Sequence, residues 1–215
     1  KPEKCCKFEP EIGLNSRKKQ EKMQIRNFTD MLETACQRQV KRVVVVNGVD
    51  ESTLEGLNEA VKMGFVSPIL TGDTTEILQA LKNLEIDPVK YRIVDAPTAK
   101  DAADRAVELV NAGEADLVMK GLISTDKFMK VLLKKENGLL PSNSTLFHIS
   151  VMYNVNYHKL LIFSDAAVIP YPDLRQKIMM TGHLIQTAHR LGIADPKVAV
   201  IAPTEQIIIS IQSCM

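Results

Sequence analysis

The segment Ala115–Thr125 (ADLVMKGLIST) puts a lysine, a glycine and a Ser-Thr pair where an apolar run gives way to a helical one. If that run is a buried strand ending at Met119, Lys120-Gly121 lies at its carboxyl end and Ser124-Thr125 opens the next helix. Ligands of open parallel sheets bind beyond the carboxyl ends of strands, and a helix N-terminus offers free N–H groups to an anion. Gly121 lets the backbone approach closely, and Lys120 adds a point charge suited to phosphate. The spacing is neither a Walker A loop nor a dinucleotide fingerprint. From spacing alone, the plainer reading of a strand–helix turn with a surface lysine and a threonine cap is favoured.

A second group follows Pro141. His148 and Ser150 lie on a strand-like segment, where a histidine is more often a satisfied core residue than a catalyst. At a cleft, His148 would donate to an acyl or phosphoryl oxygen, or act as acid or base near neutral pH. Asp165 follows the run Leu160–Ser164, again at a carboxyl end, where a carboxylate either anchors a ligand or caps a turn. His183 and His189 are six apart on one helix, an offset that does not bring them together as metal partners. Cys5, Cys6, Cys36 and Cys214 form no C-x-x-C pair and no Cys/His cluster at zinc spacing. No metal site is expected, and the thiols are read as reduced, in a cytoplasmic protein.

These residues need elements to carry them. Val43–Val46 (VVVV) is a β-branched run of the kind covered on both faces of a sheet. After Asn47-Gly48, Ser52 is expected to cap a helix running to about Met63, with Gly64 at its C′ position. Strands are expected at Ser67–Thr71, Tyr91–Val94 and Ala115–Met119. Helices are expected from Gly72-Asp73 to about Leu84, at Ala99–Ala112 and at Thr125–Lys135. This alternation implies parallel strands with helices on both faces. Beyond Pro141, Thr145–Tyr153 and His158–Ser164 read as an antiparallel hairpin joined at Asn154-Val155-Asn156. A helix from about Asp173 to Leu191 then leads to a strand at Lys197–Ala202.

The expected organisation is an extended or disordered segment over 1–25, a first α/β unit over 26–140 and a partial second α/β unit over 141–215. The 215 residues are 45% hydrophobic and 25% charged, with a net charge of +1. That balance supports a sizeable core and gives no overall steering towards nucleic acid or acidic membranes. No run reaches membrane-spanning length, and the charged first 22 residues lack the apolar stretch of a secretory signal. Met23 is a candidate earlier start.

The order and spacing of several segments resemble the phosphate acetyltransferase/butyryltransferase family, the butyryl branch more closely. The likeness runs from about Phe28 to Glu205. It is carried by Ser67-Pro68-Ile69-Leu70-Thr71-Gly72-Asp73, by Ala106–Gly113 and above all by Ala115–Thr125. Lys134–Leu139, Phe147-His148, Ser164-Asp165-Ala166-Ala167, Pro172-Asp173-Leu174, Lys177 and Gly192–Ala199 complete it. The resemblance implies a three-layer α/β/α fold with a mainly parallel sheet, similar to the isocitrate and isopropylmalate dehydrogenases, here with the second unit incomplete. It also implies transfer of an acyl group from coenzyme A to phosphate, with no cofactor beyond the coenzyme A thioester that is itself a substrate. Acyl-CoA and phosphate are the implied partners, and a homo-oligomer the implied assembly. Lys120, Gly121, Ser124, Thr125 and Asp165 would then serve phosphate or coenzyme A, with His148 near the reacting centre. Two departures stand out: Phe147 occupies a position where the family commonly has Ser, and Gln206–Met215 has no family likeness. The family's Ser-Arg pair and nearby Asp, linked to catalysis, have no counterpart here. The expectation is therefore a chain with little or no turnover by itself, with a non-catalytic phosphate- or coenzyme A-binding remnant as the alternative. Another enzyme on the same fold, a fatty-acyl phosphate synthase or an NAD-dependent decarboxylating dehydrogenase, is a further alternative; the lack of a metal-binding aspartate cluster weighs against the dehydrogenase.

Overall fold

The computed structural model describes residues 24–142 and 144–201. Four strands, β1 (Lys41–Val46), β2 (Val66–Gly72), β3 (Arg92–Asp95) and β4 (Leu117–Lys120), form one parallel sheet in the order β3-β2-β1-β4. The four apolar runs read as strands in the sequence thus lie in a single sheet.

Alternation along β1 divides the core in two. Val43 and Val45 pack with Leu70 against Leu54 and Leu57 of α2 (Glu51–Lys62) and Ile77 and Leu81 of α3 (Thr74–Asn83). Val44 and Val46 face the other way with Ile69. They meet the alanines of α4 (Ala99–Asn111) and Phe128 and Val131 of α5 (Thr125–Leu132). With a helical layer on each face, the sheet has the α/β/α layering expected. Thr71 is a fully buried polar residue, and its hydroxyl lies 2.9 Å from the Ala102 carbonyl oxygen and 3.1 Å from that of Val45. It thereby meets the requirement that a buried hydroxyl find a partner, and links α4 to the sheet.

Beyond α5 the chain changes character. β5 (Ser150–Met152) and β6 (Leu161–Phe163) pair antiparallel as a separate two-stranded sheet, followed by α6 (Leu174–Arg190). A helix at the start of the described chain, α1 (Phe28–Cys36), is associated with this second sheet. Ile25 joins Leu160 and Leu191 in a small core that Met31, Val151 and Ile162 flank, and the Phe28 and Tyr153 rings lie 6.3 Å apart.

Several local expectations change. Asp50, not Ser52, caps α2: its carboxylate accepts the Thr53 N–H at 3.0 Å, while Ser52 is exposed within the first turn. α5 ends at Leu132 rather than Lys135, because the chain folds back there and the Leu139 N–H donates to the Leu132 carbonyl at 2.8 Å. That return carries Leu139 onto the core. The hairpin is present, but its strands are three residues each rather than the longer runs expected. No strand forms at 197–201, where Val200 and Ile201 are exposed. An apolar β-branched run becomes a strand only with a ladder partner, and among the described residues none pairs with it. Ala202 and the segment Gln206–Met215 lie outside the described residues, as do Lys1–Met23. Among the described residues, no helix is long and apolar enough to cross a membrane.

Candidate anion site at the carboxyl edge of the sheet

Strands β1 and β4 are neighbours, yet the helices that follow them, α2 and α5, pack on opposite faces of the sheet. The carboxyl ends of two such strands form a topological switch point, the place where open α/β sheets hold their ligands. Lys120 and Gly121 sit on one side of it, with Asn47 and Gly48 on the other.

The two ends are laced together. The Gly121 N–H donates to the Val46 carbonyl at 3.0 Å, and the Leu122 N–H donates to the Asn47 carbonyl at 2.9 Å. The Asn47 side-chain amide donates in turn to the Leu122 carbonyl at 2.8 Å. A Cβ at position 121 would lie 2.6 Å from the carbonyl oxygens of both Val46 and Asn47, closer than any side chain tolerates. The close approach anticipated for Gly121 is therefore between two stretches of this chain. Asn47 adopts a φ of 52°, in the left-handed region that asparagine accepts more readily than most residues. Its role is not visible in the linear sequence, because the loop it ties lies 75 residues away. Asn47-Gly48 directly after a VVVV run was the available signal.

The remaining residues of this segment are placed as follows. Lys120 is exposed at the strand end; its Nζ lies 3.5 Å from the Gly121 carbonyl and, among the described residues, forms no ion pair. Ser124 is the N-cap of α5 but makes no side-chain bond to the helix N–H groups. Its hydroxyl instead bonds the Asp126 carboxylate, and chiefly for that reason Asp126 titrates below the usual carboxylate range. Thr125 is the first residue of α5.

The second group assembles around the hairpin. Asp165 accepts the N–H groups of Ala167 at 2.7 Å, Val168 at 3.0 Å, Ile169 at 3.1 Å and His148 at 3.2 Å. Partial burial opposes its charge, but the backbone donors outweigh that and hold its carboxyl below the ordinary range. Of the two readings open for Asp165, the carboxylate performs the turn-capping one. The Ser164 hydroxyl donates to the His148 carbonyl at 2.6 Å, and His148 Nδ1 lies 3.3 Å from Ser150 Oγ. His148 is exposed, so the imidazole is not a core histidine. The rings of Phe147 and His183 lie 5.3 Å apart. Among the described residues, no hydrogen bond joins the Lys120–Thr125 segment to His148 or Asp165.

Charge also gathers at the opposite, amino edge, where Arg42, Lys90, Tyr91, Arg92 and Glu114 line a shallow depression. Its arginines are committed elsewhere: Arg42 makes a two-pronged pair with Asp116, and Arg92 pairs with Glu114 at 2.7 Å. The hydrogen bonds from Arg42 hold the Asp116 carboxyl far below its ordinary value. These contacts brace the strand starts, and the edge is the wrong one for a ligand of this sheet type. No group of three or more His, Cys, Asp or Glu among the described residues is arranged to hold a metal ion.

Comparison with known proteins adds a separate line. The model of the family described as phosphate acetyl/butaryl transferase matches residues 27–105 and 97–207. The chain is 37% identical to a phosphate butyryltransferase of Clostridium acetobutylicum, over 85% of this chain and 60% of that protein. It is 35% identical to the phosphate butyryltransferase of Clostridium beijerinckii, over 87% of this chain and 62% of that protein. The chain thus spans about three fifths of the length of these relatives. In fold it is similar to a branched-chain phosphotransacylase from Enterococcus faecalis, with a TM-score of 0.65 at 24% identity, over 81% of this chain and 60% of that one.

Proposed function

Since the chain belongs to the phosphate acetyl/butaryl transferase family, we propose that it serves the exchange of an acyl group between coenzyme A and phosphate, with butyryl the preferred cargo. The observation that carries this reading is the position of Lys120 at the β1/β4 switch point, directly before the N-terminus of α5. An unpaired ammonium and a helix N-terminus side by side favour a multiply charged anion. The choice of butyryl rests on the two butyryltransferase relatives.

In this reaction a phosphate oxygen attacks the thioester carbonyl, the C–S bond breaks, and coenzyme A leaves as the thiolate. Such chemistry depends on positioning, on neutralising phosphate charge and on a donor to the developing oxyanion, more than on a protein nucleophile. Lys120 answers the second need. Exposed, with ring nitrogens that can donate a hydrogen bond, the His148 imidazole suits the third. Asp126, within the first turn of α5, competes with an incoming anion there and limits its affinity.

A second reading is retained: a domain that binds phosphate or coenzyme A without turnover. It is favoured by the placement of Lys120 at the end of β4 and of His148 just before β5 of the other sheet, with no hydrogen bond among the described residues linking their surroundings. The purified chain, assayed for phosphate-dependent release of coenzyme A thiol from butyryl-CoA and acetyl-CoA, separates the two. Turnover that is faster with butyryl-CoA supports the first reading. Binding by calorimetry without turnover supports the second. Lys120→Ala should weaken phosphate binding while leaving the melting temperature within a few degrees, about what a surface substitution produces. Unchanged affinity would remove Lys120 from the site.

A further inference from the structure

The main chain of His148 is gripped from both ends by two consecutive residues. Its N–H donates to Asp165, and its carbonyl accepts the hydroxyl of Ser164. His148 precedes β5 and the Ser164-Asp165 pair follows β6, so the grip closes the open end of the hairpin where the ladder has already stopped. Asp165 is itself immobilised by the three N–H groups of the turn at 167–169. Ser164 Oγ also lies 3.5 Å from the sulfur of Met180, a buried residue of α6. A serine hydroxyl has one proton, and the carbonyl at 2.6 Å is the stronger acceptor, so the sulfur serves as a packing wall behind it.

An exposed imidazole on a free loop would sample several rotamers and both neutral tautomers. Fixing the N–H and C=O of one residue fixes the direction of its Cα–Cβ bond. A hydroxyl within reach of Nδ1 then holds the ring in one orientation, donating or accepting as the tautomer requires. Ser150 supplies that hydroxyl at 3.3 Å, which leaves Nε2 as the nitrogen presented outward.

We infer that Ser164 and Asp165 are positioning residues for His148, clamping its backbone so that Nδ1 stays against the Ser150 hydroxyl and Nε2 faces the substrate. The inference rests on the reading of His148 as the group at the reacting centre. It also removes Asp165 from direct phosphate contact, where its carboxylate would repel the ligand.

The test uses the full 215-residue chain with nitrogen-labelled histidine, as wild type and as Asp165→Asn, Ser164→Ala and Ser164→Thr, with His148→Asn to assign the signal. Long-range proton–nitrogen spectra report the His148 side-chain rotamer, and phosphate-dependent thiol release reports kcat and KM. One dominant rotamer is expected in the wild type and in Ser164→Thr, with several populated in Asp165→Asn and Ser164→Ala. Those two variants should lose kcat on the order of 10²-fold, as misplaced catalytic groups do. Their KM for butyryl-CoA should change by less than about threefold, since substrate binding does not pass through the clamp. A rotamer unchanged in both weakened variants overturns the clamp. If the wild type shows no turnover, the acyl-transfer reading of this chain fails, while the spectra still decide whether the clamp positions His148.

Discussion

Two residues described above make opposite demands on substitution. Gly121 has no room for a methyl group, since two carbonyl oxygens of β1 and its loop lie 2.6 Å from where it would go. Gly121→Ala must push β4 away from β1, and overpacking of this kind costs about 1–3 kcal/mol. A urea titration should show the midpoint falling with the slope unchanged; an unmoved midpoint would mean the two strand ends are not laced as described. Asp165 responds to pH instead. Its folded pKa lies below the ordinary aspartate value, so its stabilising bonds are fully made above about pH 4 and are lost as the pH falls through the depressed folded value. The protection of the amides at residues 167–169, taken relative to their intrinsic exchange at each pH, should fall on acidification in the wild type. In Asp165→Asn it should be low already at neutral pH and show no such step.

At the scale of elements, the caps offer a paired comparison. Asp50→Ala removes the side chain that accepts the Thr53 N–H and should destabilise the chain by about 1 kcal/mol. Ser52→Ala, in the exposed first turn, should lie within about 0.5 kcal/mol of wild type. Equal losses would restore Ser52 as the cap. Asp50 was overlooked in the sequence because a serine two residues later satisfies the same preference, and composition cannot separate neighbouring cap candidates. The parallel strands were legible because strands buried on both faces are written as unbroken β-branched runs, as Val43–Val46 is. The hairpin was legible only in outline. Its length is set by Ser164 and Asp165, which take the N–H and C=O of His148 away from the ladder, and no local pattern announces that. At the site, the strand-end position of Lys120 could be read directly. The partnership of Asn47 with Leu122 and the internal use of Asp165 could not, because both depend on contacts distant in sequence.

For the molecule as a whole, apolar exposure is uneven. Tyr171, just before α6, and Leu174 and Ile178, one turn apart at its start, are 68%, 73% and 65% exposed, and the second sheet has only two strands. Clustered apolar exposure and open strand edges both favour association. Light scattering should therefore show concentration-dependent growth in mass, and Ile178→Lys should reduce it while leaving the urea midpoint within about 0.5 kcal/mol of wild type. A monomer at all concentrations would mean that this surface is tolerated in water as it stands.

The strand order has a consequence for how the chain is made. β1 lies between β2 and β4, and its partners across the second edge arrive late: Arg42 and Asp116 are 74 residues apart. During synthesis at about 5–20 residues per second, that edge of β1 waits roughly 4–15 seconds for its neighbour. Over that interval the nascent chain carries a run of four valines with one flank unpaired, an arrangement prone to capture by another chain. Arg42 and Lys41 at its start are the charges that guard it until Asp116 emerges, so the ion pair that later braces the sheet begins as a deterrent on the ribosome.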